Sequence, residues 1–79
     1  NNEIKIPITS NGQESISAKL YNLKGEFITN IANSIISKGK HVLSWNGMSG
    51  KNKNVPSGTY LLIIDNEVIF HSQKIILLK

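Results

Sequence analysis

Two histidines, His41 and His71, and five carboxylates, Glu3, Glu14, Glu26, Asp65 and Glu67, are the side chains here best suited to moving protons or holding a metal at neutral pH. The histidines lie thirty residues apart with no third ligand at a metal-site spacing, so they read as exposed or hydrogen-bonded strand residues. The carboxylates fall in turns or at strand ends, and no two are spaced to share a pocket. A 79-residue chain has little interior from which to shape a cleft around a glycosidase-like pair. Asn46, Ser49, Asn52 and Asn54 offer the oxygen donors of a calcium loop without a carboxylate to balance a divalent cation. No Gly-x-Ser-x-Gly elbow activates a serine, Ser57 in Pro56-Ser57-Gly58 reads as a turn residue, and no glycine loop for phosphate is present. With no cysteine there is no disulfide frame, thiolate nucleophile or zinc-thiolate site. The sequence predicts no enzyme, no cofactor and no metal.

Partners are constrained by charge and size. The net charge of +4 comes from nine lysines and no arginine, scattered singly from Lys5 to Lys79. Nucleic-acid binders concentrate positive charge and use arginine for bidentate contacts, so this pattern predicts solvated lysines and no nucleic-acid partner. A single domain of this length buries about 60% of its unfolded surface and has a small margin of stability. Small extracellular domains usually lean on disulfides, so their absence suggests either a cytosolic protein or an appendage folded beside a larger partner. No stretch is apolar and long enough to span a bilayer as a helix, and Asn1-Asn2-Glu3 lacks the layout of a signal peptide. The missing initiator Met predicts a piece excised from a longer chain.

The elements that must position any surface are strands. Ile4, Ile6 and Ile8 alternate with polar residues and Pro7 from Glu3 to Ile8, which places that strand at an edge, since proline cannot donate to a ladder. After a turn at Ser10-Asn11-Gly12-Gln13, Ser15 to Tyr21 puts Ile16, Ala18 and Leu20 inward. Asn22-Leu23-Lys24-Gly25 reads as a tight turn ending in a positive-φ glycine, with a return strand from Glu26 to Ile31 that places Phe27, Thr29 and Ile31 on one face and Ile28 on the other. Ala32 to Lys38 is open between a strand fragment and a turn of helix. The pivotal stretch is Gly39 to Tyr60, a strand ending at Trp45, a polar loop with almost nothing that packs, and a second strand announced by Pro56-Ser57-Gly58. His41, Leu43 and Trp45 share the face expected to be buried, and the loop either crosses between sheets or makes a long hairpin. Tyr60 to Ile64 is the core strand. Asp65-Asn66-Glu67 turns, Val68-Ile69-Phe70 resumes, His71-Ser72-Gln73 interrupts, and Lys74 to Lys79 closes.

Together these predict an all-β, small antiparallel β-sandwich of about six to seven strands, a single domain over residues 1–79. The expected core is Ile16, Leu20, Phe27, Leu43, Trp45, Tyr60, Leu62, Ile64 and Ile76. Of the five aromatics, Tyr21, Phe27, Trp45, Tyr60 and Phe70, a core this small needs most, which leaves Tyr21 or one other for a sugar-binding platform.

The pattern Gly39-x-His41-x-x-x-Trp45-x-Gly47, followed after a loop by Val55-Pro56-Ser57-Gly58-Thr59-Tyr60, resembles the type A C-terminal sorting domains of the type IX secretion system of Bacteroidetes and the related immunoglobulin-like domain of the flagellar hook-capping protein. Leu20-Tyr21-Asn22-Leu23-Lys24-Gly25 matches that family's hairpin, and Lys74-Ile75-Ile76-Leu77-Leu78-Lys79 its closing strand. Asn46 stands where the family commonly has Asp, and Asn52 where it commonly has Gly.

The resemblance implies a non-catalytic C-terminal targeting domain that takes a larger cargo through the periplasm to the cell surface or the medium. Its implied partners are the outer-membrane secretion machinery, a sortase and the N-terminal cargo domains of the same chain. On this reading Gly58, Tyr60, Lys74 and Lys79 are the candidate recognition residues. Gly39, Trp45 and Gly47 form the structural motif, with Trp45 and Tyr60 anchoring the sheets. The alternative is a carbohydrate-binding or spacer module of an extracellular glycan-degrading enzyme, with a polysaccharide as partner. A flagellar-cap scaffold, which would self-assemble, is a third expectation.

Overall fold

The computed structural model describes residues 3–66 and 70–78 of the 79-residue chain. Six strands follow in order: β1 (Ile4–Ser10), β2 (Glu14–Asn22), β3 (Phe27–Ile36), β4 (Gly39–Trp45), β5 (Gly58–Asp65) and β6 (Phe70–Leu77). They form two antiparallel sheets, β1-β4 and β3-β2-β5-β6, facing each other as a sandwich. The Trp45-to-Gly58 segment crosses between the sheets, so the crossing is the correct one of the two connections expected for it.

The core follows from alternation. Ile16, Ala18 and Leu20 from β2, Tyr60 and Leu62 from β5, and Ile75 and Leu77 from β6 point inward against Ile6 and Trp45 of the smaller sheet. Ala18, Leu20 and Leu62 are fully buried where the two central strands pair, and each large aliphatic there contributes about 1.5–3 kcal/mol. β1 pairs only with β4, so Pro7 does sit in an edge strand.

Several expectations change in the structure. Phe27 is 52% exposed, and Ile28 and Ile31 pack against the core instead. Two residues three apart cannot share a face of a regular strand. The β2–β3 register shifts between Ala18/Lys19 and between Leu20/Tyr21, which leaves Ile31 and Ile28 as the extra residues of two bulges. Ile76 is 64% exposed and its neighbours Ile75 and Leu77 are buried, because β6 meets β5 in the register Thr59↔Ile76. Leu43 and Ile64 are half-buried against the core cluster. Val55, inside the loop expected to pack almost nothing, is buried, and so is Gly47.

β3 continues unbroken through residues 32–36, which resolves that stretch as strand. The run His71-Ser72-Gln73 is no interruption either, since it pairs regularly with Ile64, Ile63 and Leu62. Its polar side chains are exposed at the sheet's edge, where water satisfies them. The Glu67 and Val68-Ile69 expectations lie outside the described residues.

Candidate functional site

Trp45 and Gly47 meet Tyr60 at one end of the sandwich, while Gly39 opens β4 at the other end, opposite Ser10. Trp45, the last residue of β4, is buried, and its indole N–H donates to the Met48 carbonyl at 2.9 Å. The Met48 amide donates to Asn46 Oδ1 at 3.0 Å, an Asx-type turn in which an amide oxygen accepts as a carboxylate oxygen would. The asparagine found where an aspartate is common therefore keeps the acceptor and drops only the charge. Gly47, at φ 78°, lets the chain reverse directly beneath the indole.

The polar loop is a small hairpin of its own. Met48 bridges Asn54, the Ser49 amide donates to the Lys53 carbonyl at 2.8 Å, and Ser49 Oγ accepts from the amides of Lys51 and Lys53. Asn52 sits at its tip with φ 59°, the left-handed conformation that glycine or asparagine tolerates best. The Gly50 amide donates to the Ile28 carbonyl at 3.0 Å, which ties the loop to β3. These contacts explain a polar, sparsely packed segment with a fixed path.

Tyr60 completes the anchor from the opposite sheet. Its ring meets Trp45 edge-to-face at 5.1 Å and 68°, and its hydroxyl donates to the Pro56 carbonyl at 2.5 Å. Burial pushes the phenol's pKa above its ordinary value of 10.0. Below about pH 10 both folded and unfolded chains keep the proton, so this term is constant; above it the unfolded chain loses its proton first and stability falls as pH rises. Tyr60→Phe is expected to cost about 0.5–1.5 kcal/mol at neutral pH through the lost hydrogen bond. It is also expected to flatten the decline above about pH 10, as checked by urea unfolding at both pH values.

At the β2–β3 hairpin, Asn22 Oδ1 accepts from the amides of Lys24 and Glu26, Asn22 Nδ2 donates to Glu26 Oε1, and Gly25 takes φ 85°. The expected positive-φ glycine is in place. The Gly39, Gly47 and Gly25 positions and the Trp45–Tyr60 pair thus set the backbone path and join the layers.

The candidate recognition residues divide differently. Gly58 is exposed at the start of β5, pairs with Leu77, and has open space where a Cβ would stand. Lys74 is exposed on β6 opposite Leu61. Gly58, on β5, lies opposite Leu77, three β6 residues or about 10 Å along from Lys74. Tyr60 is 4% exposed, so its ring belongs to the core and is not presented to a partner. Lys79 lies outside the described residues.

The groups with acid–base or metal chemistry stay apart. His41 Nε2 lies 2.7 Å from the Ser37 carbonyl, Glu14 Oε1 accepts from Asn66, and no three metal-ligating side chains are grouped among the described residues. A cleft of about 350 Å³ opens between β1 and β6, with Ile8, Ile16 and Ile64 in its wall and Glu14, His71 and Gln73 at its polar positions. Its lining comes from five separate parts of the chain, so no local sequence signal marks it.

No protein-family model matches this chain, and no curated protein sequence matches it. Among solved structures, the crystal structure of FlgD from P. aeruginosa, the flagellar hook-capping protein, is similar at a TM-score of 0.75 and 18% identity. The match covers 96% of this chain and 61% of that one, so the chain spans about three-fifths of that structure. At that identity the likeness is one of fold: an antiparallel, immunoglobulin-like β-sandwich.

Proposed function

We propose that this chain is a non-catalytic targeting domain of the type IX sorting kind, which directs a larger cargo through the periplasm to the cell surface. The observation that carries the reading is the position of Lys74 to Leu77, the end of an edge strand whose far side no described residue pairs with, beside exposed Gly58. An edge strand offers unpaired backbone amides and carbonyls to a partner. The tryptophan, tyrosine and glycine motif supports the reading indirectly, because its members hold that edge in a fixed place and carry no chemistry of their own. The partners are then the outer-membrane secretion machinery, a sortase and the preceding cargo domains.

A reporter carrying residues 1–79 at its C-terminus, expressed in a bacterium with the pathway, tests this. Surface-exposed or released reporter is the expected result. Reporter confined to the periplasm to the same degree as one without the domain would reject the proposal.

One observation favours the second reading. Tyr21 and Phe27 meet at 5.9 Å on the outer face of the larger sheet, and the Phe27 ring is half in water. A polysaccharide-binding module would use such a platform. Calorimetry of the chain against polysaccharides separates the two, since saturable heat abolished by Phe27→Ala supports the module and none supports targeting.

A further inference from the structure

The free edges of the two sheets are not equivalent. β1 carries Pro7 at its middle, which has no amide hydrogen to give an incoming strand. β3 is broken by two bulges, and its Ile28 carbonyl already accepts from Gly50. β4 opens on Gly39, at φ 124°. β6 has none of these protections. Its eight residues contain no proline or glycine, run beside β5 in unbroken register from Gly58↔Leu77 to Asp65↔Phe70, and no described residue pairs with their far side.

The two faces beside that edge differ in chemistry. His71 and Gln73 share the inward face with buried Ile75 and Leu77, and they open onto the 350 Å³ cleft walled by Ile8 of β1 and Ile64 of β5. Ser72, Lys74 and Ile76 form the outward row. Lys74 makes no ion pair among the described residues, and the chain as a whole carries +4.

We propose that β6 takes an extended segment of a partner protein as the next strand of its sheet, and that this segment alternates aliphatic and acidic side chains. The inference rests on the targeting reading and names the chemistry of what docks. Aliphatic side chains of the added strand turn inward to the cleft beside Ile8 and Ile64, and a carboxylate turns outward beside Lys74. A second copy of this chain is the poorer occupant. Antiparallel pairing of β6 with itself about its centre places two copies of Lys74 opposite each other or one row apart, and each copy adds a net +4.

The test is an amide-shift titration of the 79-residue chain with synthetic peptides of β6's length, eight residues. One peptide alternates valine and glutamate, one alternates valine and lysine, and one is the valine–glutamate peptide N-methylated at every residue. Saturable shifts at Ser72, Lys74, Ile76 and Ile8 with the first peptide are expected, with none from the N-methylated one. Lys74→Glu, at an exposed position, should shift the preference toward the lysine peptide by about fivefold to tenfold. No saturable shift at β6, a wild-type preference for the lysine peptide, or β6 shifts that depend on protein concentration without peptide would overturn the inference. The targeting reading stands or falls separately on the reporter, because delivery without peptide binding rejects only the strand chemistry proposed here.

Discussion

Trp45→Ala is expected to remove a large share of the domain's stability. Truncating a buried aromatic costs about 3–5 kcal/mol, and two features push this site toward the upper end. The Met48 carbonyl loses its indole donor, and Tyr60 loses the edge-to-face partner 5.1 Å away. Against that stands a total stability of about 4–12 kcal/mol for a domain of 79 residues. Far-UV circular dichroism during heating should show a midpoint lowered by about 20 °C or more, or no cooperative transition. Trp45→Phe keeps a ring and loses the N–H, so its loss should be smaller, about 1–3 kcal/mol. Equal stability of wild type and Trp45→Ala would mean that the two layers are held elsewhere.

Leu62→Ala carries the second large effect. Leu62 is fully buried and pairs with Leu20 at the centre of the larger sheet, so its truncation should cost about 2–5 kcal/mol in urea unfolding. Phe27→Ala removes more atoms from a side chain that is 52% exposed, and should cost less than about 1.5 kcal/mol, chiefly the Tyr21 contact. The comparison tests the β2–β3 hairpin register, which sets Phe27 opposite outward-facing Tyr21. In a hairpin slipped by one residue Phe27 would face the core, and its truncation would rival that of Leu62.

Those two residues also show what the sequence could and could not disclose. Leu20 and Trp45 lie in runs with an apolar face at period two, so their burial was legible from period, whereas Leu62 sits in the continuous apolar run Tyr60 to Ile64, which marks a core strand without choosing its inward face. Phe27 was misplaced because the hairpin sets it opposite outward-facing Tyr21, while the bulges at Ile28 and Ile31 break the alternation that had grouped it with Ile31, and nothing in the sequence announces them. Ile76 was misplaced because four apolar residues in a row, Ile75 to Leu78, carry no alternation; only the register with β5 selects Ile75 and Leu77. The turn chemistry was more legible. Gly25 and Asn52 have the positive φ their residue types suggest, since few other residues accept that conformation. The candidate edge was legible in composition as KIILLK, whereas its neighbour, the cleft, was not, because it exists only once β1 and β6 come together.

The glycines, Trp45 and Tyr60 fix a scaffold, and on the proposed targeting reading the β6 edge is the part that meets a partner. Lys74→Ala together with Lys79→Ala, placed in a secreted cargo, tests that division most directly. Lys74 is exposed and unpaired among the described residues, so its removal should leave the melting curve of the domain within about 0.5 kcal/mol of wild type. The account predicts cargo held in the periplasm with a folded domain still attached. Delivery of the folded double variant to the cell surface at the wild-type level would contradict it.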